Sequence, residues 1–151
     1  MIAQRLEKLG ITLPPPVSPA GTYVPCLVDD DYVYVSGHGP INGTSMITGR
    51  VGAELTLEEG REAARMTALS ILATMQDALG DLDRIKRFLT VFGMVNVAPG
   101  FTQTPAVIDG CSNLLVEVFG DAGRHARSAV GLAELPFGIA VEIELCARLH
   151  A

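Results

Sequence analysis

The sequence predicts an α+β domain in which a mixed sheet is covered on one face by two long helices. Two stretches repeat apolar residues at spacings of three and four, as a helix with one buried stripe does. Between and around them lie short runs rich in Val, Ile and Tyr that read as strands. Their order, strand, strand, helix, strand, helix, strand, strand, is that of an α+β sandwich. The 151 residues suit one domain, since a single core is normally built from roughly 100 to 200 residues. Apolar residues make up 48% of the chain and aromatics 5%, with no Trp, so the core must be mainly aliphatic.

The elements follow in order. Residues 2 to 9 read as a short amphipathic helix ended by Gly10, and Pro14, Pro15 and Pro16 make a stiff extended linker, so residues 1–16 form an N-terminal appendage to a single domain over 17–151. Tyr23 to Val28 and Tyr32 to Gly37 predict a hairpin turning at Asp29, Asp30 and Asp31. Gly37, Gly39, Pro40, Asn42 and Gly43 end it in a loop. Thr56 followed by Glu59 is a capping box; Ala64, Ala68, Ile71, Leu72, Met75 and Leu79 form the first helical stripe, and Gly80 stands where a left-handed cap belongs. Thr104 as cap and Pro105 at the first helical position open the second helix, with Val107, Ile108, Cys111, Leu114, Leu115 and Val118 on one face and Gly120 at its end.

Between the helices, RFLTVFGMVNV is a strand with Leu89, Val91, Val95 and Val97 on one face and Phe88, Phe92 and Met94 on the other. AVGLAEL and AVEIELCARL close the sheet, the latter setting Val141, Ile143, Leu145 and Ala147 against Glu142, Glu144, Cys146 and Arg148. With both helices on one face, the face bearing Phe88, Phe92 and Met94 would stay wet, and symmetric self-association is the simplest way to cover it.

Composition narrows the function. A net charge of −6 with no extended Lys/Arg cluster argues against a nucleic-acid partner, and favours a small molecule or a protein. Cys26, Cys111 and Cys146 are odd in number and lack a C-x-x-C pair, which predicts neither a disulfide framework nor a metal site, and a cytoplasmic protein. The N-terminus lacks the apolar core of a signal peptide, and no run is long enough to span a bilayer. Gly37, Gly39 and Gly43 do not form a phosphate loop, because no G-K-[ST] follows.

Among the charged residues, Arg127 and Glu142 are expected on the open sheet face, partly desolvated, where they form either an interface salt bridge or a site. His38 follows a turn at a pocket edge and is either solvated or an aid to proton transfer. Arg124 reads as a cation beyond a helix C-terminus; His125 is left between that role and anion recognition. Cys111 belongs to the core.

Three segments, YVYVSGHGPING (32–43), GRHARSAVGLAELP (123–136) and VEIE (141–144), resemble in content and order the signature regions of the Rid, or YjgF, family of imine deaminases. The resemblance spans about Val17 to Leu149 and implies a chorismate-mutase-like fold. It also implies a homotrimer whose sheets form a central barrel, with an active site in each cleft between subunits. It makes Arg127 the anchor of a substrate carboxylate and Glu142 the group that orients or activates water. Tyr23, Ser36 and Gly37 would line the pocket, with His38 standing where the family commonly has Gln. Ala129 takes the place of a small site residue that is often Cys, and Ser112 or Asn113 is the nearest match to a polar helix position; Asn113 is taken as the pocket residue. His125 replaces the usual proline.

The implied reaction, hydrolysis of a 2-imino or enamine acid to a 2-keto acid and ammonia, suits these residue types. A guanidinium can grip the substrate carboxylate bidentately, and a carboxylate can take a proton from water and return it. No metal or organic cofactor is called for. A non-catalytic trimer binding small carboxylates or a protein is the rival expectation.

Overall fold

The computed structural model describes residues 1–151. Its elements are α1 (Ile2–Lys8), β1 (Cys26–Asp29), β2 (Tyr32–His38), β3 (Ile41–Asn42), β4 (Ser45–Met46), α2 (Leu57–Leu79), β5 (Ile85–Asn96), α3 (Thr104–Phe119), β6 (Ala126–Leu132) and β7 (Val141–Leu149). Five strands join in one sheet in the order β1-β2-β7-β5-β6. All neighbours are antiparallel except β5 and β6, whose parallel pairing uses α3 as the crossover. The loop expected after β2 contains an extra ladder, β3 with β4.

Helices α2 and α3 lie against one face, as their stripes require. All six apolar residues expected on each stripe are buried. The Thr56 hydroxyl accepts from the Glu59 amide at 3.1 Å while the Glu59 carboxylate accepts from the Thr56 amide at 2.7 Å, and Gly80 ends α2 at φ 76°. At α3 the expectation is corrected: Gln103 takes the cap position and Thr104 is the first helical residue. The Thr104 hydroxyl instead donates to the Ala129 carbonyl at 3.0 Å, so a tertiary acceptor on β6 has displaced the local cap. Gly110 brings the two helices close, because a Cβ there would run into the Arg61 carbonyl of α2. α1 docks on the same layer, burying Leu6 in the common core and donating from Arg5 Nε to the Glu117 carbonyl at 3.0 Å.

β5 departs from simple alternation. Its pairing with β7 shifts between Phe88 and Thr90, and such a bulge reverses which side chains face the core. Phe88 is therefore fully buried beneath the helices, edge-on to Phe119 with ring centroids 4.9 Å apart, and does not share the open face with Phe92 and Met94 as alternation predicts. The open face still carries Leu27, Tyr34, Phe92 and Val130, which are 38 to 52% exposed. No helix is long and apolar enough to cross a membrane.

Gly110→Ala, which would favour an isolated helix, should here destabilise the protein by about 1–3 kcal/mol through overpacking. Thr56→Ala should cost about 1 kcal/mol by removing half of the capping box. Urea midpoints of the two variants, measured at equal slope, check both values.

Candidate functional site

β2 and β7 meet along an irregular seam. Their register shifts between Val35 and His38, so Ser36 and Gly37 leave the regular ladder. Ser36 donates its hydroxyl to the Val24 carbonyl at 2.7 Å, which fastens the segment before β1 to β2, and within that segment the Tyr23 hydroxyl accepts from the Ala20 amide at 3.2 Å. On β7, burial of Val141 and Ile143 sends Glu142 to the open face. The Glu142 carboxylate lies directly over Gly37, in space that a Cβ would fill.

These residues enclose a concavity of about 570 Å³, lined by Tyr23, Ser36, Gly37, Glu142 and Glu144 and walled by Val17, Ile41, Phe137 and Ile139. Tyr23, Ser36 and Glu144 also border a second depression on the open face, larger at about 650 Å³ and mostly apolar, which includes Phe92. No Lys or Arg pairs with Glu142. Burial, and then the neighbouring Glu144 charge, push its pKa above the ordinary 4.5. A carboxylate raised in this way takes up and returns a proton more readily near neutrality.

Arg127 lies elsewhere. It stands opposite the buried Val91 in the parallel ladder and points towards α3, whereas Glu142 points away from the helices. This corrects the expectation that both share the open face. The Arg127 Nη1 atom meets Asp109 Oδ1 at 2.8 Å and donates to the Ser112 hydroxyl at 3.1 Å. The directions along the chain of hydrogen bonds are determined. His125 Nδ1–H donates to the Gly123 carbonyl at 2.7 Å, so Nε2 of the neutral ring accepts from Ser112 at 3.0 Å, leaving Ser112 free to accept from Arg127. Arg124 borders the same small polar hollow, with a loose 3.5 Å contact to Asp121.

His38 is not solvated: it lines the concavity as expected, but its ring nitrogens are engaged elsewhere. The bulge turns its ring under the sheet, where it is 3% exposed. Nδ1–H donates to the Ser36 carbonyl at 2.6 Å and Nε2 accepts from the Thr74 hydroxyl of α2 at 2.9 Å, so the ring ties β2 to the helix layer. Asn113 is also misplaced by the sequence reading. One helical residue turns through about 100°, which leaves Ser112 beside Arg127 and Asn113 in an exposed groove between α2 and α3. Ala129 shares the helix-side face of β6 with Arg127, far from the Glu142 face. Cys111 is buried in the core, its thiol pushed up to about 12 by burial.

Sequence reasoning missed Glu144 and Phe137. Glu144 was legible, since it shares a face with Glu142 at a spacing of two; Phe137, beside Pro136, left no periodic signal. No three His, Cys, Asp or Glu side chains converge as a metal site would need.

Burial depresses the pKa of His38 and of His125 below the ordinary 6.5. The folded protein therefore binds fewer protons than the unfolded chain as pH falls below that value. The stability contributed by the two neutral rings is present above 6.5 and is lost as pH falls through the depressed folded values. Denaturation midpoints should be lower at pH 5.5 than at pH 7.5, and the difference should shrink in His38→Gln.

The comparisons with known proteins agree with one another over nearly the whole chain. The family model described as "YjgF/chorismate_mutase-like, putative endoribonuclease" matches residues 3–149. Protein TCP17 of Trypanosoma cruzi is 46% identical over 151 residues, covering 99% of this chain and 94% of that protein. Among solved structures, Atu1372 of Agrobacterium tumefaciens, a protein of unknown function, is 39% identical with a TM-score of 0.90, covering 99% of this chain and 92% of that one. A "putative endoribonuclease" of Shewanella oneidensis MR-1 is 32% identical with a TM-score of 0.95, covering 99% of each chain.

Proposed function

The chain belongs to the YjgF/chorismate-mutase-like, or Rid, family, and on that premise we propose that it hydrolyses 2-imino and enamine acids to 2-keto acids and ammonia. The observation that carries this reading is Glu142, a half-buried carboxylate of raised pKa lying unpaired over the Gly37 backbone in an open concavity. The proposed assembly is a homotrimer whose open sheet faces pack into a barrel. Arg127 sits on the edge strand and points to the opposite face from Glu142, so one chain cannot offer both to one small substrate. The reading therefore takes Arg127 from one subunit and Glu142 from its neighbour.

In such a cleft Arg127 holds the carboxylate of the protonated imine, which fixes the adjacent C=N carbon. Water adds its oxygen to that carbon as Glu142 takes one of its protons. Glu142 returns the proton to nitrogen; the C–N bond then breaks with release of ammonia as Glu142 takes the hydroxyl proton, and transfer of that proton to the ammonia leaves the keto acid, ammonium and the free carboxylate. An enamine reaches the same path after protonation at carbon gives the imine. Proton transfer by a positioned carboxylate is worth about 10²–10⁴ in rate.

A non-catalytic module that docks a protein partner is the second reading, favoured by one observation: Arg127 is already paired with Asp109, which competes with any small carboxylate. Cleavage of RNA, suggested by the names of relatives, is disfavoured by the concavity itself, which is lined by Glu142 and Glu144 and by no Lys or Arg.

Ammonia release from imino acids generated in situ by an amino-acid oxidase should fall at least about 100-fold in Arg127→Ala and in Glu142→Gln. When the two variants are co-assembled in equal amounts, about a quarter of the clefts should regain both groups and activity should return in proportion; no recovery would sink the shared cleft. Gly37→Ala should leave the fold intact, because the atom in its way is the end of a flexible side chain, yet lower turnover by displacing the Glu142 carboxylate.

A further inference from the structure

Residues Pro136 to Ile139 form a tight turn closed by a hydrogen bond from the Ile139 amide to the Pro136 carbonyl at 3.2 Å. Its central residues both have positive φ, Phe137 at 58° with ψ 13° and Gly138 at 67°. This is a type I′ turn, whose first central position ordinarily takes Asn, Asp or Gly, because a Cβ with a bulky ring is strained in the left-handed region. Phe137 occupies it, and the residue is 76% exposed. Neither burial nor backbone preference accounts for a phenylalanine there.

The turn cannot relax. The Gly138 carbonyl accepts from the Gly49 amide at 2.9 Å, the Ala140 amide donates to the Ile47 carbonyl at 3.1 Å, and Asn96 donates its side-chain amide to the Ile139 carbonyl at 3.2 Å. The ring is thus held at the rim of the concavity that contains Glu142. The lining of that concavity is mixed in its chemistry: Glu142, Glu144 and Ser36 are polar, and Val17, Ile41, Ile139 and Phe137 supply apolar surface. Strained residues persist where the surrounding structure over-determines them, and they gather at ligand sites.

We propose that Phe137 is a specificity residue, a preset aromatic face that receives the apolar side chain of the imino or enamine acid. Substrates with branched or aromatic side chains are then preferred over the smallest. This rests on the imine-hydrolysis reading above. An apolar wall discriminates through the area it covers, so the preference lies in kcat/KM and fades when the ring is removed.

The test compares wild type, Phe137→Asn and Phe137→Ala on imino acids derived from alanine, leucine and phenylalanine. Wild type should favour the leucine and phenylalanine derivatives over 2-iminopropionate by about tenfold in kcat/KM. Both variants should lose that preference, with kcat/KM falling more for the leucine and phenylalanine derivatives than for 2-iminopropionate. Phe137→Asn should also melt about 2–4 °C higher, as the strain is relieved. Equal use of all three substrates by wild type, or an unchanged preference in both variants, overturns the specificity role and leaves imine hydrolysis standing. Dissociation of an oligomer by Phe137→Asn in sedimentation would assign the ring to a subunit contact and overturn the proposal equally. A wild type inert on every imino acid would instead overturn the imine reading, and this inference with it.

Discussion

Burial of alternate residues on β7 is the constraint on which the remaining geometry depends. Val141, Ile143, Leu145 and Ala147 must all enter the core beneath α2 and α3. A slip of one residue would expose the whole set, so the register is strongly held. With that face committed, Glu142 and Glu144 have nowhere to go but the open side. The acidic character of the concavity is thus a consequence of core packing in the central strand, two neighbours of which, β2 and β5, are locked to it by long ladders.

The seam between β2 and β7 converts that constraint into a site. A bulge frees Ser36 and Gly37 from the ladder and turns His38 inward, where its two ring nitrogens join the Ser36 carbonyl to Thr74 of α2. A buried ring with both nitrogens satisfied keeps the bulge in one conformation without leaving a polar group orphaned. The absent Cβ of Gly37 then gives the Glu142 carboxylate its place. The same residues therefore explain why the carboxylate is partly desolvated and why its proton is held more tightly.

On the far side of the sheet, β6 is an edge strand, and Arg127 is held by Asp109 and Ser112 against α3. Only part of its guanidinium is committed, and the side chain remains 22% exposed. Its separation from Glu142 by the thickness of the sheet is what makes a two-subunit cleft the economical account of both residues. The open face carries the apolar side chains of Leu27, Tyr34, Phe92 and Val130, surface that the proposed assembly would cover.

How much of this could be read beforehand follows from the range of the interactions involved. The two long helices, the capping box at Thr56, the Gly80 cap and the outward path of Glu142 arise from periodicity and neighbours within one turn or one strand, which the sequence by itself determines. Four features were decided only by tertiary structure: the burial of Phe88, the inward turn of His38, the diversion of the Thr104 hydroxyl to Ala129, and the face taken by Arg127. The first two depend on bulges, which exist only relative to a partner strand far away in sequence. The third needed an acceptor 25 residues away. For Arg127, the strand ARSAVGL offers small residues on both faces and no period that could choose between them, so its pairing with β5 and its contacts with α3 made the choice.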